Sequence, residues 1–348
     1  MTHIISMNIR GMGADQKFLA LKEILSSNHP SIILIQETMH ATEVSIRYFR
    51  RMFPLWHIVA TDANGLSGGL IILWNPSWIA AKEYKCFAGI LSLANIQGLS
   101  GSIYVLNIYA PYKDRYPFWN RFLSSDFLEL DYLLIGGDLN CTLCGDEVWG
   151  GGRKVDPLVG YIKEAILQHN MIDISPQSMG PTWDNGKLGV SYLAKRLDRF
   201  FISDNLLVRM GRLISPIINS FISNHRPISL QWGKRCYKKG LPYKFNRVWL
   251  EDEEFNDLVI FFWSASCSKE IISPSQHLLD NLRELKVKVK AWQRKKLKSN
   301  RDALKEIQAN LDVLAGKQRE GNISFSVRNS IHEVEKRRHK ILAIEEAS

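Results

Sequence analysis

The stretch LLIGGDLN, residues 133–140, decides the fold class of this chain. Its first residues are continuously apolar, which is typical of a strand covered on both faces. Its last residues bring Asp138 and Asn140 to the carboxyl end of that strand, where ligands and catalytic groups gather in open α/β sheets. The stretch therefore predicts a buried strand of an α/β domain, with polar chemistry at its end.

The chain up to about Gly233 repeats this pattern: short apolar, β-rich segments are separated by amphipathic segments. The predicted strands cover residues 3–9, 31–37, 57–62, 68–74, 89–96, 102–110, 132–138, 196–203 and 228–232. The predicted helices cover residues 15–29, 41–53, 118–130 and 157–170. Strands interspersed with helices indicate a layered α/β domain.

The positive charge of the chain is concentrated in its last third. The 348 residues carry a formal net charge of +10, with a pI of about 9.3. Residues 234–348 hold 24 of the 45 basic residues and 16 of the 35 acidic ones, so they account for +8 of that charge. A basic balance favours a polyanionic partner such as nucleic acid. We expect DNA as the partner, with RNA as a second candidate for the basic tail.

The cysteines and the hydropathy pattern bear on the compartment. The five cysteines are irregularly spaced and odd in number, which argues against a disulfide framework. Cys141 and Cys144 form a C-x-x-C without a second pair at zinc-ligand spacing, so we interpret them as loop residues. No signal peptide opens the chain and no apolar run reaches membrane-spanning length. We expect no membrane partner, and the nucleus or the cytoplasm as the location.

The sequence pattern changes after Gly233. This change predicts a domain of residues 1–233, followed by a basic connector and a helical linker over residues 234–348. Apolar residues recur there at spacings of four and three, before and after a predicted break at residues 295–300: Leu278, Leu282, Leu285, Val289 and Trp292, then Leu304, Ile307, Leu311 and Leu314. The spacing predicts two amphipathic helices that pair through residues 276–315. A partly disordered basic extension is the alternative.

Polar side chains stand at the ends of several predicted strands: Asn8, Glu37, Tyr109, Asp138, Asn140, Asp198, Asn224 and His225. Each alone has a plain explanation, such as capping a turn or facing solvent. Together they supply hard oxygen ligands for Mg²⁺, amide and phenol hydrogen-bond donors, and a carboxylate–imidazole pair. This combination suits attack of water on a phosphodiester while a metal ion balances the charge.

The motifs also resemble a known family. NIRG, QET, SGGLIILWNP, NIYAP, GGDLN, PTW, RLDRFFIS and SNHRPI occur in the order found in the endonuclease/exonuclease/phosphatase superfamily. They are most similar to the N-terminal endonuclease of plant LINE-type (non-LTR) retrotransposon polyproteins, over residues 1 to about 233. The tail resembles the linker that precedes reverse transcriptase in those polyproteins. The resemblance implies a four-layer α/β sandwich, with two stacked, mostly antiparallel sheets flanked by helices, followed here by the basic helical extension.

The resemblance also implies a metal site and a base. Glu37 would be the main ligand of Mg²⁺, with Mn²⁺ as the alternative ion, and Asn8 would bond beside it. Asp138 would orient or deprotonate the attacking water. Asn140 would hold that water and the phosphate.

The remaining roles concern the phosphate. Tyr109 and Thr182 would contact phosphate oxygens, by the same resemblance. His225 would bind the phosphate and stabilise the developing charge, and Asp198 would hold the imidazole in orientation.

Asn224 departs from the family, which usually has Asp in this position of the Ser-Asp-His motif. Asparagine keeps the shape and an acceptor oxygen but lacks the negative charge that a hard cation prefers. As a metal ligand, Asn224 would therefore make a second or transient metal site weaker. We expect reduced activity and not its abolition, because Glu37 is present.

These expectations lead to one preferred function and two alternatives. The preferred function is that of a Mg²⁺-dependent phosphodiesterase, a DNA endonuclease that nicks target DNA in retrotransposition. The first alternative is another phosphoesterase of the same superfamily, acting on small substrates. The second is a catalytically decayed retroelement remnant that only binds nucleic acid through its tail.

Overall fold

The computed structural model describes residues 2–13, 15–64, 67–151, 156–220, 222–233, 247–266, 274–319 and 324–346. The chain divides into two compact units. The first contains residues 1–237 together with 311–332, and the second contains residues 238–310 together with 333–348. The division into a domain of residues 1–233 and a basic connector with a helical linker over residues 234–348 stays a prediction.

The first sheet of the first unit has six strands in the spatial order β14-β15-β1-β2-β4-β3. The strands are β1 (Thr2–Asn8), β2 (Ile32–Gln36), β3 (His57–Asn64), β4 (Ser67–Trp74), β14 (Leu213–Ile214) and β15 (Ile228–Trp232). Strands β1 and β2 run parallel, and the other pairs are antiparallel.

The second sheet also has six strands, in the order β10-β13-β8-β7-β6-β5. The strands are β5 (Ile79–Cys86), β6 (Gly89–Ile96), β7 (Ser102–Tyr109), β8 (Leu133–Asp138), β10 (Met171–Asp173) and β13 (Asp198–Ser203). Strands β7 and β8 are its parallel pair. A further small sheet joins β11 (Trp183–Asp184), β12 (Leu193–Lys195) and β9 (Val148–Gly150).

Helices α1 (Asp15–Ser27), α2 (Thr42–Met52), α3 (Arg115–Leu123) and α4 (Val159–Gln168) cover the outer faces of the two sheets. Helix α5 (Asp204–Met210) packs Leu206 and Met210 against the core between the sheets, and 3₁₀ turns lie at Gly145–Glu147 and Gly189–Ser191. One apolar core lies between the sheets, a second joins the first sheet to α1 and α2, and a third joins the second sheet to α3 and α4. The four-layer α/β sandwich predicted from the sequence is confirmed.

The continuously apolar strands are explained by these layers. Successive side chains of a strand point to opposite faces. In β2, Leu34 therefore packs between the sheets while Ile33 packs under α1 and α2. In β8, Leu134 packs between the sheets while Ile135 packs under α3 and α4. Both faces of each strand are buried, so no polar alternation is possible.

A buried amide links the two sheets beside the strand ends. Asn107 on β7 donates hydrogen bonds from Nδ2 to the carbonyl oxygens of Ile35 (3.1 Å) and Ile71 (2.8 Å) on the first sheet. Gln36 donates from Nε2 to Asn107 Oδ1 at 2.7 Å. Gln36 directly precedes Glu37, so this link couples the position of one sheet's carboxylate to the other sheet.

The second unit and the end of the first are helical. The elements are a 3₁₀ turn at Arg247–Glu251, α6 (Glu253–Ser266), α7 (Pro274–Arg319) and α8 (Phe325–Glu346). In the second unit Trp249, Phe255, Val289 and Trp292 form a small apolar core. None of the helices in the described ranges is both long enough and apolar enough to cross a membrane.

One expectation about secondary structure was wrong, and several strands were missed. The break at residues 295–300 does not exist, because α7 is one helix of 46 residues through that range. Lysine and leucine are good helix formers, and the segment contains neither Pro nor Gly. The two helices predicted within residues 276–315 are therefore one. Strand β5 was missed because its lysines and glutamate interrupt the apolar pattern at the edge of the sheet.

Gly136 sets the spacing between the sheets at β8. A Cβ atom on this residue would lie 2.7 Å from Leu34 Cδ1 and 2.7 Å from Phe200 Cε1. Both side chains belong to the core between the sheets, where neighbouring groups leave little room to move. The glycine is therefore required by packing at the end of the most apolar strand.

We expect Gly136→Ala to lower the free energy of unfolding by about 1–3 kcal/mol, as overpacked cores do. Gly160→Ala on α4 is the matched control, because its Cβ would enter open space and the change favours helix. Urea denaturation of both variants measures the difference. Equal stabilities would contradict the packing role.

Candidate active site

The predicted site residues converge at one edge of the stacked sheets. Asn8 ends β1 opposite Gln36 of the parallel strand β2, and Tyr109 ends β7 opposite Asp138 of the parallel strand β8. Asp198 starts the antiparallel strand β13, also opposite Asp138. The strand ends from both sheets therefore deliver their polar side chains to a common place, as the sequence predicted for such ends.

Three residues within two positions of these strand ends have left-handed backbone conformations. The φ angles are 47° at Arg10, 52° at Glu37 and 47° at Asn140. Each such residue costs roughly 1–2 kcal/mol when it is not glycine. Local hydrogen bonds hold the turns, including Gly11 N–H to Glu37 O at 2.7 Å. Strained backbone of this kind often marks a site where side-chain direction matters.

The amide of Asn8 bridges two carboxylates. Its Nδ2 donates to Glu37 Oε1 at 2.9 Å and to Asp138 Oδ2 at 2.9 Å. Its Oδ1 accepts from the backbone N–H of Arg10 at 3.0 Å, which fixes the amide orientation. Glu37 comes from the first sheet and Asp138 from the second, so one buried side chain holds the two acids at a fixed separation.

Asp138, Asp198 and His225 form a buried cluster with ligand atoms within 4.8 Å of one another. His225 Nδ1 lies 2.9 Å from Asp198 Oδ2. His225 Nε2 lies 3.8 Å from Asp138 Oδ2, which is too long for a hydrogen bond. The imidazole is therefore fixed on its Nδ1 side by Asp198 and keeps Nε2 available toward Asp138.

The cluster perturbs the ionisation of its members. Burial alone would lower the pKa of His225, but the charges of Asp198 and Asp138 outweigh it and raise that pKa to about 9. Burial raises the pKa of Asp138; His225 lowers it and Asp198 raises it again, leaving a pKa above that of an ordinary aspartate. At neutral pH, His225 is a cation beside an aspartate that accepts protons more readily than usual.

Asn140 and Tyr109 border this cluster. Asn140 N–H donates to Asp138 Oδ1 at 2.9 Å, and Asn140 Nδ2 donates to Ala110 O at 2.8 Å. Burial, followed by the negative charge of Glu37, raises the pKa of the Tyr109 phenol well above its ordinary value. The phenol is therefore protonated and able to donate a hydrogen bond.

Thr182 lies behind the cluster, fully buried. Its Oγ1 accepts hydrogen bonds from the backbone N–H groups of Leu197 and Asp198, both at 2.9 Å. The hydroxyl thus holds the start of β13, where Asp198 enters the site. Contact between Thr182 and a phosphate oxygen stays a prediction.

Asn224 contacts Trp183 and Arg10. With its amide oxygen turned toward the two donors, Oδ1 accepts from Trp183 Nε1 at 2.7 Å and from Arg10 Nη1 at 2.6 Å. This orientation follows from chemistry, because both neighbours can only donate. The predicted role of Asn224 as a metal ligand is not tested by this arrangement, which instead ties the residue to Arg10.

The chemistry of the site fits a divalent cation. Three carboxylates, Glu37, Asp138 and Asp198, lie around the single imidazole of His225, so negative charge is in excess. The buried Asp198 Oδ1 has no hydrogen-bond partner among the described residues. Hard carboxylate oxygens are the ligands that Mg²⁺ prefers. Glu37, only partly buried and fixed by Asn8, is the carboxylate best placed to bind an ion from solution.

A second buried ion cluster supports the site and was missed from the sequence. Arg196 and Arg199 flank Asp198 in the chain and pair with Glu147 and Asp173. Arg199 is fully buried and bonds Glu147 Oε2 at 2.5 Å, and Leu143 N–H bonds the same oxygen at 2.5 Å. The two arginines on either side of Asp198 were the only feature of the sequence that pointed to this ion cluster. Their partners lie too far away in the chain to be matched by spacing.

Comparison with solved structures shows the fold. The endonuclease domain of TRAS1, a telomere-specific non-LTR retrotransposon, matches with a TM-score of 0.52 and 14% identity, covering 68% of this chain and 100% of that one. An AP endonuclease from Archaeoglobus fulgidus matches with a TM-score of 0.52 and 17% identity, covering 67% of this chain and 99% of that one. The AP endonuclease LMAP from Leishmania major matches with a TM-score of 0.51 and 14% identity, covering 66% of this chain and 86% of that one.

The chain has the endonuclease/exonuclease/phosphatase fold. No protein-family model matches the sequence. At these levels of sequence identity the similarity establishes the fold alone. The predicted resemblance to plant LINE elements rests on the sequence motifs.

We expect the buried ion cluster to stabilise the fold in a pH-dependent way. Burial alone would raise the pKa of Glu147, but Arg199, the Leu143 N–H and Arg196 outweigh it and lower that pKa to about 2. An unfolded glutamate titrates near pH 4.3, so the ionised form contributes stability above about pH 4 that is lost as the pH falls through about 2. Glu147→Gln, which leaves buried arginine charge unpaired, should cost about 3 kcal/mol at pH 7.

Urea unfolding between pH 7 and pH 3 measures this effect against Glu43→Gln, a change of an exposed residue on α2. The deficit of Glu147→Gln should shrink as the pH approaches 3, while Glu43→Gln stays near wild type. A deficit that does not vary with pH would contradict the ionic role.

Proposed function

We propose that the protein is a divalent-metal-dependent DNA endonuclease that nicks one strand of its target. The observation that carries this proposal is the Asn8 bridge between Glu37 and Asp138, set beside the Asp198–His225 pair. It combines a cation-binding carboxylate, a proton acceptor and a buried imidazolium at one sheet edge. These are the groups required for attack of water on a phosphodiester.

Asp138 is the proposed base. Its Oδ1 is occupied by Asn140 N–H and its Oδ2 by Asn8, so the carboxylate is fixed and cannot turn away from a bound water. Burial gives this aspartate a raised pKa, which strengthens it as a proton acceptor near neutral pH. A Mg²⁺ or Mn²⁺ held at Glu37 would neutralise charge on the phosphate.

His225 is the proposed stabiliser of developing charge. Asp198 accepts from Nδ1, which leaves the Nε2–H of the imidazolium free to donate to a phosphoryl oxygen. The raised pKa keeps this proton in place at physiological pH. Tyr109 and Asn140 add neutral donors at the rim of the same cluster. The donors are held before substrate arrives, which is what makes such stabilisation effective.

DNA as the substrate is supported by the chain's charge. The +8 carried by residues 234–348 suits a nucleic-acid backbone, and RNA is a second candidate for that tail. A role in retrotransposition, in which a nick supplies the primer end, is supported by the motif order and is consistent with the TRAS1 likeness. The proposed location is the nucleus or the cytoplasm.

We expect purified protein to convert supercoiled plasmid to the nicked form in the presence of Mg²⁺. Asp138→Ala and His225→Ala should each slow nicking by about 100-fold or more, since each removes a group that acts on the reacting atoms. Agarose electrophoresis over time measures the rate. Turnover of soluble phosphomonoesters without plasmid nicking would contradict the proposal, as would nicking that both variants retain.

Glu37→Gln should raise the Mg²⁺ concentration needed for half-maximal nicking at least about tenfold, because the change removes the carboxylate charge that holds the ion. The exposed Glu43→Gln on α2 is the control and should leave the titration unchanged. Identical Mg²⁺ titrations for the two variants would contradict the assignment of Glu37.

A further inference from the structure

Asn224 and Arg10 form a contact that the proposed catalytic groups do not use. Asn224 Oδ1 receives two hydrogen bonds, from Trp183 Nε1 at 2.7 Å and from Arg10 Nη1 at 2.6 Å. The indole of Trp183 fixes the amide, and the amide in turn fixes one arm of the guanidinium. Arg10 is thereby oriented by a neutral acceptor, which satisfies a donor without cancelling its charge.

The charge of Arg10 has no carboxylate partner in the described part of the chain. Its side chain is exposed, although the residue lies two positions after Asn8 at the buried end of β1. Lys17 adds a second cation beside it, with Nζ donating to Ile9 O at 2.5 Å and to Arg10 O at 3.4 Å.

The backbone places Arg10 at the proposed active site. Arg10 has a left-handed φ of 47°, and its N–H bonds Asn8 Oδ1 at 3.0 Å. The same Asn8 side chain bonds Glu37 and Asp138. A guanidinium held in one orientation, exposed and unneutralised, is suited to a phosphate, which it can bind through two parallel hydrogen bonds.

We propose that Arg10, oriented by Asn224 and Trp183, binds a DNA backbone phosphate next to the one that is cleaved. This inference rests on the proposed function and names a substrate contact for it. Asn224 is then a positioning residue for Arg10 and not a metal ligand. An aspartate at position 224 would form an ion pair with Arg10 and weaken the phosphate contact.

The binding experiment uses the full chain carrying Asp138→Ala, so that DNA stays intact. Fluorescence anisotropy with a labelled duplex gives Kd over a range of KCl concentrations, with EDTA and again with Mg²⁺. Each phosphate contact contributes about 0.9 to the slope of log Kd against log salt. We expect Arg10→Gln to lower that slope by about 0.9, Asn224→Asp to lower it in the same direction, and Arg10→Lys to retain it.

Two comparisons make the result specific. Arg212→Gln changes an exposed arginine beside the Leu213–Trp232 pair, and Trp232 pairs with Thr2 at the opposite end of β1 from Asn8. Its slope should equal that of the parent chain. In the double variant, Arg10→Gln with Asn224→Asp, the second change should have no further effect. Equal unfolding midpoints confirm that each variant is folded.

Nicking by the chain with native Asp138 separates this inference from the proposed activity. We expect Asn224→Asp to raise KM for plasmid and to leave the Mg²⁺ concentration for half-maximal nicking unchanged. A lowered Mg²⁺ requirement with an unchanged salt slope would overturn the inference and make position 224 a metal ligand. If no chain nicks DNA but the slopes change as expected, the proposed activity fails while the phosphate contact stands.

Discussion

The Asn8 amide is the interaction on which the rest of the site depends. Two carboxylates from different sheets, Glu37 and Asp138, would repel each other if they met without a donor between them. The two N–H bonds of Asn8 satisfy one oxygen of each and hold them at a set distance. The arrangement needs the sheets to stack closely at this edge, which Gly136 permits and the Asn107 amide secures.

Charge balance extends outward from that bridge in two directions. Toward the second sheet, His225 is drawn into its charged form by Asp198 and Asp138, and beyond it Arg196 and Arg199 pair with Glu147 and Asp173. Toward the first sheet, the side chain that binds Arg10 is the neutral Asn224, and no carboxylate among the described residues pairs with Arg10. The charges of the two arginines are therefore matched by carboxylates, while the exposed charge of Arg10 is left for a ligand. This difference is what favours a substrate contact at Arg10.

The buried strands and the polar residues at their ends could be predicted from the sequence, because each depends on a short local segment. Apolar runs such as residues 133–138 marked the buried strands, and the polar residues that end them marked the site, since strand ends from stacked sheets must meet at an edge. The Arg10–Asn224 contact joins residues from opposite ends of the domain, and nothing in either neighbourhood indicates the other. Likewise, whether Leu285 and Val289 face another helix or the core around Trp249 depends on tertiary packing and not on their spacing.

The central claim is that Asn8 holds Glu37 and Asp138 in a site whose excess negative charge binds a divalent cation. Isothermal titration of Mg²⁺ into wild type and into Asn8→Leu, with folding checked by urea denaturation, tests it directly. We expect wild type to bind one ion and the folded variant to bind it at least about tenfold more weakly, because its carboxylates are no longer held together. Equal affinity in the two proteins would contradict the account.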